Sequence, residues 1–496
     1  MPTTIAGLEQ DVVLYILGFC DIYTVLSVSR VNRHLHIAAS VKQLWISLVN
    51  DLRRCGLMEV PPSYTPSQYT TTKLQEQVKR LLTGPETWLL PPPSPPALAC
   101  EIVIPTQANM TKYRQDGRVQ VQLINGGRYV IIMTRPVDNP ATIEVWDVAG
   151  TRCIWTRTEN IERFSVDPAI NGNQLVLALV FRDISDFSSR LEVVQIDPSS
   201  GMFRVFAAIP LPRYSFVPDI SLAGDLVVVS VVEPGWQLEI LVIDWRAQRY
   251  VLLNELGGTR PVVRIIPGHL VVITRDTGPT HLLVYATVAF SSDWRSVCDS
   301  DPFHARLRIQ KLTPLVDETL EFQNDHPAPT SVTLVMTITE SPIRHGVYRI
   351  AIYASEVLQA SATVFVYECV MISPNSIRCA LKSVTPAGPG MQLQGFTYSG
   401  YSVSKEPGYP VYRMCNTQDF NDRSTSSITL APLRECVWRD LSPYSCVITS
   451  LLPSSVVLRL RRTRPLVLVQ YDSPWPQHSP PTPNTTNYGP CALPPV

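Results

Sequence analysis

The chain has 496 residues and a mass of 55.4 kDa, which at about 150 residues per domain suits one small and one large domain, or three of ordinary size. Its 42 Lys+Arg balance 42 Asp+Glu, and a pI near 7.1 removes the basic footprint of a general nucleic-acid or anionic-membrane binder. Only 17% of residues are charged while 45% are apolar, against about 25% charged in ordinary globular chains, so a buried, strand-rich body is expected.

The opening MPTTIAGLEQD has no basic stretch followed by an apolar one, so nothing there resembles a secretory signal. Apolar runs such as Leu226 to Val232 fall short of the roughly 18 residues a membrane span needs. An intracellular protein of the cytoplasm and/or nucleus is expected, with no membrane and no nucleic acid as partner. The 11 cysteines are odd in number and include no CxxC, which argues against a disulfide framework and against a cysteine zinc site. The two sequons, at Asn109 and Asn484, are short enough to arise by chance.

Residues 5 to 56 read as helical. Val12, Tyr15, Ile16 and Phe19 fall at i, i+3, i+4 and i+7, with Val13 and Leu17 widening the stripe. Asp21 is placed to cap a second helix carrying Ile22, Val25 and Leu26, and the run continues through Val31, Leu35, Ala38 and Ala39. Leu44, Leu48 and Leu52, flanked by Trp45 and Val49, mark a further helix with Arg53 and Arg54 in its last turn and Gly56 just beyond. A unit this small cannot bury such wide apolar stripes by itself, so it should want a partner.

The strings Leu8-Glu9-Gln10-Asp11-Val12-Val13-Leu14-Tyr15-Ile16-Leu17, Phe19-Cys20-Asp21-Ile22, Val31-Asn32-Arg33-His34-Leu35 and Leu44-Trp45 together resemble the F-box motif over residues 5 to 51. That resemblance implies a small all-α domain that docks on a Skp-type adaptor and, through it, on a cullin-RING scaffold. It implies Leu8, Val12, Ile16, Leu17, Ile22, Leu26, Val31 and Leu35 as the positions forming the domain and its adaptor face, with Leu44 and Trp45 as the closing Leu-Trp pair. One departure stands out: the family has proline after the first leucine, in its adaptor-contacting loop, where this chain has Glu9.

Residues 73 to 82 form one more short helix, with Leu74, Val78, Leu81 and Leu82 on a face, inside a linker taken as 57–97. Pro91-Pro92-Pro93-Ser94-Pro95-Pro96 reads as a polyproline II spacer and a domain boundary. Beyond it, apolar runs of β-branched and aromatic residues alternate with turn residues. Ile143 to Asp147, Leu191 to Asp197 and Leu238 to Asp244 repeat one pattern, each preceded by a strand (Tyr129 to Met133, Leu175 to Phe181, Leu226 to Val232) and followed by another. A weaker unit covers Leu270 to Thr274 and Leu282 to Val288. Such a unit, recurring about every 45 to 50 residues, is that of a β-propeller blade. Trp146-Asp147 sits where WD-type repeats, which the region loosely resembles, carry theirs, although Gly268-His269 opens a strand instead of pairing with it.

Further strands at 332–338, 347–354, 363–372, 446–452, 456–460 and 466–471 raise the expected total to six to eight blades, with insertions around 296–330 and 373–445. The fold class is therefore α+β multidomain: a helical domain at 1–56, the linker, an all-β domain at 98–472 in which a propeller is favoured over a sandwich, and a Pro-rich, mobile tail at 473–496. Pro480 and Pro483 form a PxxP that such a tail carries by coincidence.

No catalytic, metal or cofactor site emerges. There is no Gly-x-Ser-x-Gly elbow and no Gly-rich phosphate loop with a following lysine. His34 and His36 are two apart, which puts them on different helix faces; Asp299-Ser300-Asp301 lacks the glycine and glutamate of a calcium loop; Glu318 and Glu321 read as exposed loop charge. The resemblance thus implies a non-catalytic substrate receptor of an SCF-type ubiquitin ligase whose large domain binds an unknown target protein. The alternatives are a scaffold that joins a Skp-type adaptor without ubiquitin transfer, for which Glu9 is the motive, and a propeller enzyme, which would need polar groups converging on a central channel.

Overall fold

The computed structural model describes residues 8–55, 57–58, 65–83, and the strands and shorter connections between 98 and 471. Five helices open the chain: α1 (Gln10–Leu17), α2 (Ile22–Val28), α3 (Arg33–Ala39), α4 (Lys42–Arg54) and α5 (Thr71–Thr83). Asp21 caps α2 as its position predicts, accepting from the Thr24 N–H at 2.7 Å. Asn32 does the same for α3 through the Leu35 N–H at 2.8 Å, so the run from Ile22 to Ala39 breaks into two helices. Their inner faces form one cluster: Val13 and Leu17, Ile22 and Val25, Leu35 and Ala38, then Leu44, Trp45, Leu48, Val49 and Leu52. Trp45 satisfies its buried indole by donating Nε1–H to the Ala39 carbonyl at 2.8 Å. The helix at 71–83, read as part of the linker, adds Leu74, Val78 and Leu81 to the same cluster. The proline run at 91–96, the strand expected at 446–452, the Asp299 loop and the tail from 473 lie outside the described residues.

The β region is a succession of antiparallel sheets. Four-stranded sheets span 118–159, 161–211, 332–387 and 392–432, each from four consecutive strands. The sheet at 216–254 has the same core of four and gains two short edge strands, Arg295–Ser296 antiparallel and Arg306–Arg308 parallel to Arg249–Asn254. The next takes three strands from 262–286 and its fourth, Val316–Leu320, after that excursion. In the last sheet, Leu98–Ile104 pairs with Leu466–Tyr471, which pairs in turn with Val456–Arg459, so the two ends of the region meet. The insertion expected at 373–445 is a correction: Ser376–Ala387 is a fourth strand, and 392–432 is a complete sheet. Its Gly, Pro and Ser content and short apolar runs hide it from periodicity.

Successive sheets bury both faces. In the strand Leu175–Arg182, Leu175, Leu177, Leu179 and Phe181 join the core shared with the preceding sheet, while Val176, Ala178 and Val180 join the core shared with the following one. The period-2 alternation thus separates two interiors instead of inside from outside, and it explains the apolar runs and low charge. The first strands of the second to fifth sheets, Ile161–Asp167, Phe216–Ala223, Val262–Ile266 and Val332–Glu340, lie side by side. Radial repetition of four-stranded sheets about their first strands is the arrangement of a β-propeller.

The repeated aspartates have a local reason. Asp197 accepts from the Ser199 N–H at 2.9 Å, and Asp244 from the Ala247 N–H at 2.9 Å, each nucleating the turn into its sheet's fourth strand. In the Asp197 turn Gly201 sits at φ 72°, where a Cβ would meet the Ile154 carbonyl oxygen at 2.6 Å. Among the described residues one cysteine pair is bonded, Cys369 to Cys379, a correction to the reading of the scattered, odd-numbered cysteines as arguing against disulfides: opposed positions on paired strands bring them together.

Candidate protein-docking face

Helix α1 is apolar on nearly every side, and a small bundle can cover only one of them. Val13 and Leu17, one turn apart, take the interior, so the stripe read from the spacing is out of phase with the core. Val12, Tyr15 and Phe19 point outward, Tyr15 71% and Phe19 77% exposed, with their rings edge to face at 5.0 Å. Leu26 on α2, Val31 before α3 and Ile37 on α3 are exposed as well, Val31 to 69%. Exposed apolar side chains concentrated in thirty residues mark an interaction surface more readily than scattered ones do.

The motif positions divide accordingly. Val12, Leu26 and Val31 are exposed; Leu8 and Ile16 are half-buried; Leu17, Ile22, Leu35, Leu44 and Trp45 lie in the helical core. Tyr15, Phe19, Tyr23 and Ile37 are exposed but were not singled out as contact positions; the signal for the first two was that α1 and the turn after it carry more apolar residues than one face can hold. Glu9 is exposed at the N-cap of α1, where its carbonyl accepts from the Val12 and Val13 N–H groups and its side chain makes no cap bond. His34 and His36 stand exposed on α3, Glu318 and Glu321 are exposed too, and among the described residues no three His, Cys, Asp or Glu side chains are gathered to hold a metal.

At the edge of this face, beside Tyr23 and Leu26, the helices rest on the fifth sheet through the turn at 341–346. Tyr23 donates its N–H to the Ile343 carbonyl at 2.8 Å, the Arg344 guanidinium stacks 4.9 Å from the Tyr23 ring centre, and Ile343 packs against the helical core. Burial alone would raise the Asp21 carboxyl, but hydrogen bonds from Thr24 and from the His345 N–H carry it below its ordinary value. Burial, reinforced by Asp167, pushes the neighbouring Glu340 carboxyl upward against the opposing pull of His345 and the Gly346 N–H. An apolar cavity of about 320 Å³ lies at this junction, lined by Leu26, Ala39, Trp45, Val78, Leu82 and Ile343 among others.

No protein-family model matches the chain, residues 5 to 51 included, and no curated protein sequence matches it. Among solved structures it is similar to the β-propeller domain of Cps50 (Swd1) from Myceliophteria thermophila, at 12% identity and a TM-score of 0.45, covering 73% of this chain and 98% of that one. It is similar to the WD40 domain of SCAP from fission yeast at 11% identity and a TM-score of 0.42, covering 72% and 82%. A chain of the mitotic checkpoint complex is similar at 10% identity and a TM-score of 0.40, covering 75% and 95%. No helix among the described residues is long and apolar enough to cross a membrane.

Proposed function

We propose that this protein is the substrate receptor of an SCF-type ubiquitin ligase: its F-box-like helices hold a Skp-type adaptor, and its β region, a seven-bladed propeller closed by the pairing of Leu98–Ile104 with Leu466–Tyr471, binds a target protein. The observation that carries this reading is the open apolar face of α1 to α3, led by Tyr15 and Phe19, on a bundle whose core is already filled by other residues. A face of that kind buries itself in a partner's groove, on the scale of about 1,200–2,000 Å² for a specific interface. The receptor performs no chemistry. It raises the effective concentration of target lysines near the ubiquitin-loaded enzyme on the RING subunit, turning an intermolecular transfer into one within a complex.

The test is co-purification of recombinant full chain with a Skp-type adaptor, alongside Phe19→Glu and Ile16→Asp. Phe19→Glu should lose the adaptor while its unfolding temperature stays close to that of the parent, because Phe19 is outside the core. An intact, folded chain that never retains the adaptor sinks the reading. Glu9 in place of the family's proline favours a second reading, a scaffold that joins the adaptor without ubiquitin transfer. Reconstituted ligase that keeps the adaptor but leaves every bound target unmodified would select it.

A further inference from the structure

The Cys369–Cys379 bond joins directly opposed residues of Ala362–Ser373 and Ser376–Ala387, with Cα atoms 4.1 Å apart. Cys369 is fully buried, whereas Cys379 is partly exposed on the sheet's outermost strand. The strand pairing holds the two sulfurs opposite each other whether or not they are bonded, so the oxidised and reduced forms are compatible with the same register. Cys379, whose side chain packs against the sheet's apolar core, is the less buried of the two and so the side from which a small molecule would approach, and less shielded disulfides are the labile kind.

The pair also sits behind the seat of the helices. Two residues beyond Cys369, the Met371 N–H donates to the Gly346 carbonyl at 2.8 Å and closes the base of the turn that bears Ile343 and His345. Cys369 is itself opposed to Tyr348 on the strand leaving that turn.

We propose that Cys369 and Cys379 form a reversible dithiol–disulfide couple that exchanges with small-molecule disulfides of the glutathione class, and that its oxidised state firms the 341–346 turn on which α2 rests. In the forward direction the Cys379 thiolate attacks the small disulfide, forming a mixed disulfide and releasing one thiol. The Cys369 thiolate then attacks the Cys379 sulfur and expels the second. Two protein thiols and one oxidised glutathione give one protein disulfide and two reduced glutathiones, the two protons passing to the departing thiolates. The second step is within one hairpin, so the mixed disulfide is short-lived. This couple stands apart from the adaptor reading, which can fail without affecting it.

The experiment equilibrates the full chain in graded ratios of reduced to oxidised glutathione, traps free thiols by alkylation, and weighs the peptides carrying Cys369 and Cys379. Both labels should disappear together as oxidised glutathione rises and return on reduction, while Cys369→Ala should accumulate glutathione on Cys379. A pair bonded at every ratio, or alkylated at every ratio, overturns the couple, and the parent titration decides this even where the variant does not fold. Amide hydrogen exchange of Tyr23 and Met371 tests the link to the helices: several-fold faster exchange in the reduced state is expected, and equal rates in the two states overturn that link.

Discussion

The His345 N–H donates to Asp21 Oδ2 at 3.2 Å across 324 residues of chain, while Asp21 Oδ1 accepts from Thr24. One carboxylate therefore caps α2 and ties it to the fifth sheet, so the orientation of the helical face relative to the β region depends on it. Because its folded pKa lies below the ordinary value, the stability it adds is present above the unfolded pKa and is lost as pH falls through the folded one. Asp21→Ala should cost about 0.5–2 kcal/mol near neutral pH. Thermal unfolding of parent and variant should show the gap closing in acid; a gap independent of pH would show that the charge of Asp21 is not what stabilises the seat.

Core and face should separate by mutation at the end of α1 and in the turn just after it. Leu17→Ala removes a buried side chain from a cluster that includes Val13, Ile22 and Trp45, and should cost about 2–5 kcal/mol. Phe19→Ala, two residues on, touches no core and should stay within about 0.5 kcal/mol of the parent in chemical denaturation. Comparable losses at the two positions would mean that the outward ring is packed after all.

Much of this architecture was legible because the physics that shapes it is local. Strands such as Leu175–Arg182 declare themselves by unbroken apolar runs, and the repeated aspartates mark turns they cap with their own side chains. The cap at Asp21 is likewise one residue acting on the next three. The phase of α1 was not legible: Val12, Val13, Leu14, Tyr15, Ile16 and Leu17 offer two overlapping stripes, and only the positions of α3 and α4 choose between them. Nor was the seat at Ile343 to His345, whose partners Asp21 and Tyr23 are distant in sequence and carry no pattern that refers to it. The sheet at 392–432 escaped because its strands are short and its connections rich in turn residues.

Glu340 should behave opposite to Asp21. Burial raises its folded pKa, so its charged form is the unfavourable one, and the cost is fully present above the folded value and relieved as pH falls below the unfolded value. Glu340→Gln keeps an oxygen that can accept from the Gly346 N–H while removing the charge. It should raise the unfolding temperature at neutral pH and change it little in acid. A variant less stable than the parent at neutral pH would show that attraction to His345 outweighs desolvation.

Two ion pairs of the β region should differ in worth. Glu192 accepts from Arg157 at 2.7 Å and from Arg190 at 2.8 Å, and both guanidiniums stack on Phe181, at 4.5 and 4.4 Å. With the Arg157 and Glu192 side chains 17% and 9% exposed, Glu192→Ala takes one of two carboxylates from Arg157, Glu159 remaining at 2.8 Å, and should cost about 1–3 kcal/mol. Burial would lift the Glu192 carboxyl, but the two arginines hold it below its usual range, so this contribution too is lost in acid. Arg246 and Asp225 lie 2.7 Å apart but are 58% and 55% exposed, so water screens them and Asp225→Ala should cost no more than about 1 kcal/mol. Denaturant unfolding in low and high salt checks both: the Glu192 loss should barely respond to salt and the Asp225 loss should vanish, and a salt-sensitive Glu192 effect would mean that water reaches the space between the first two sheets.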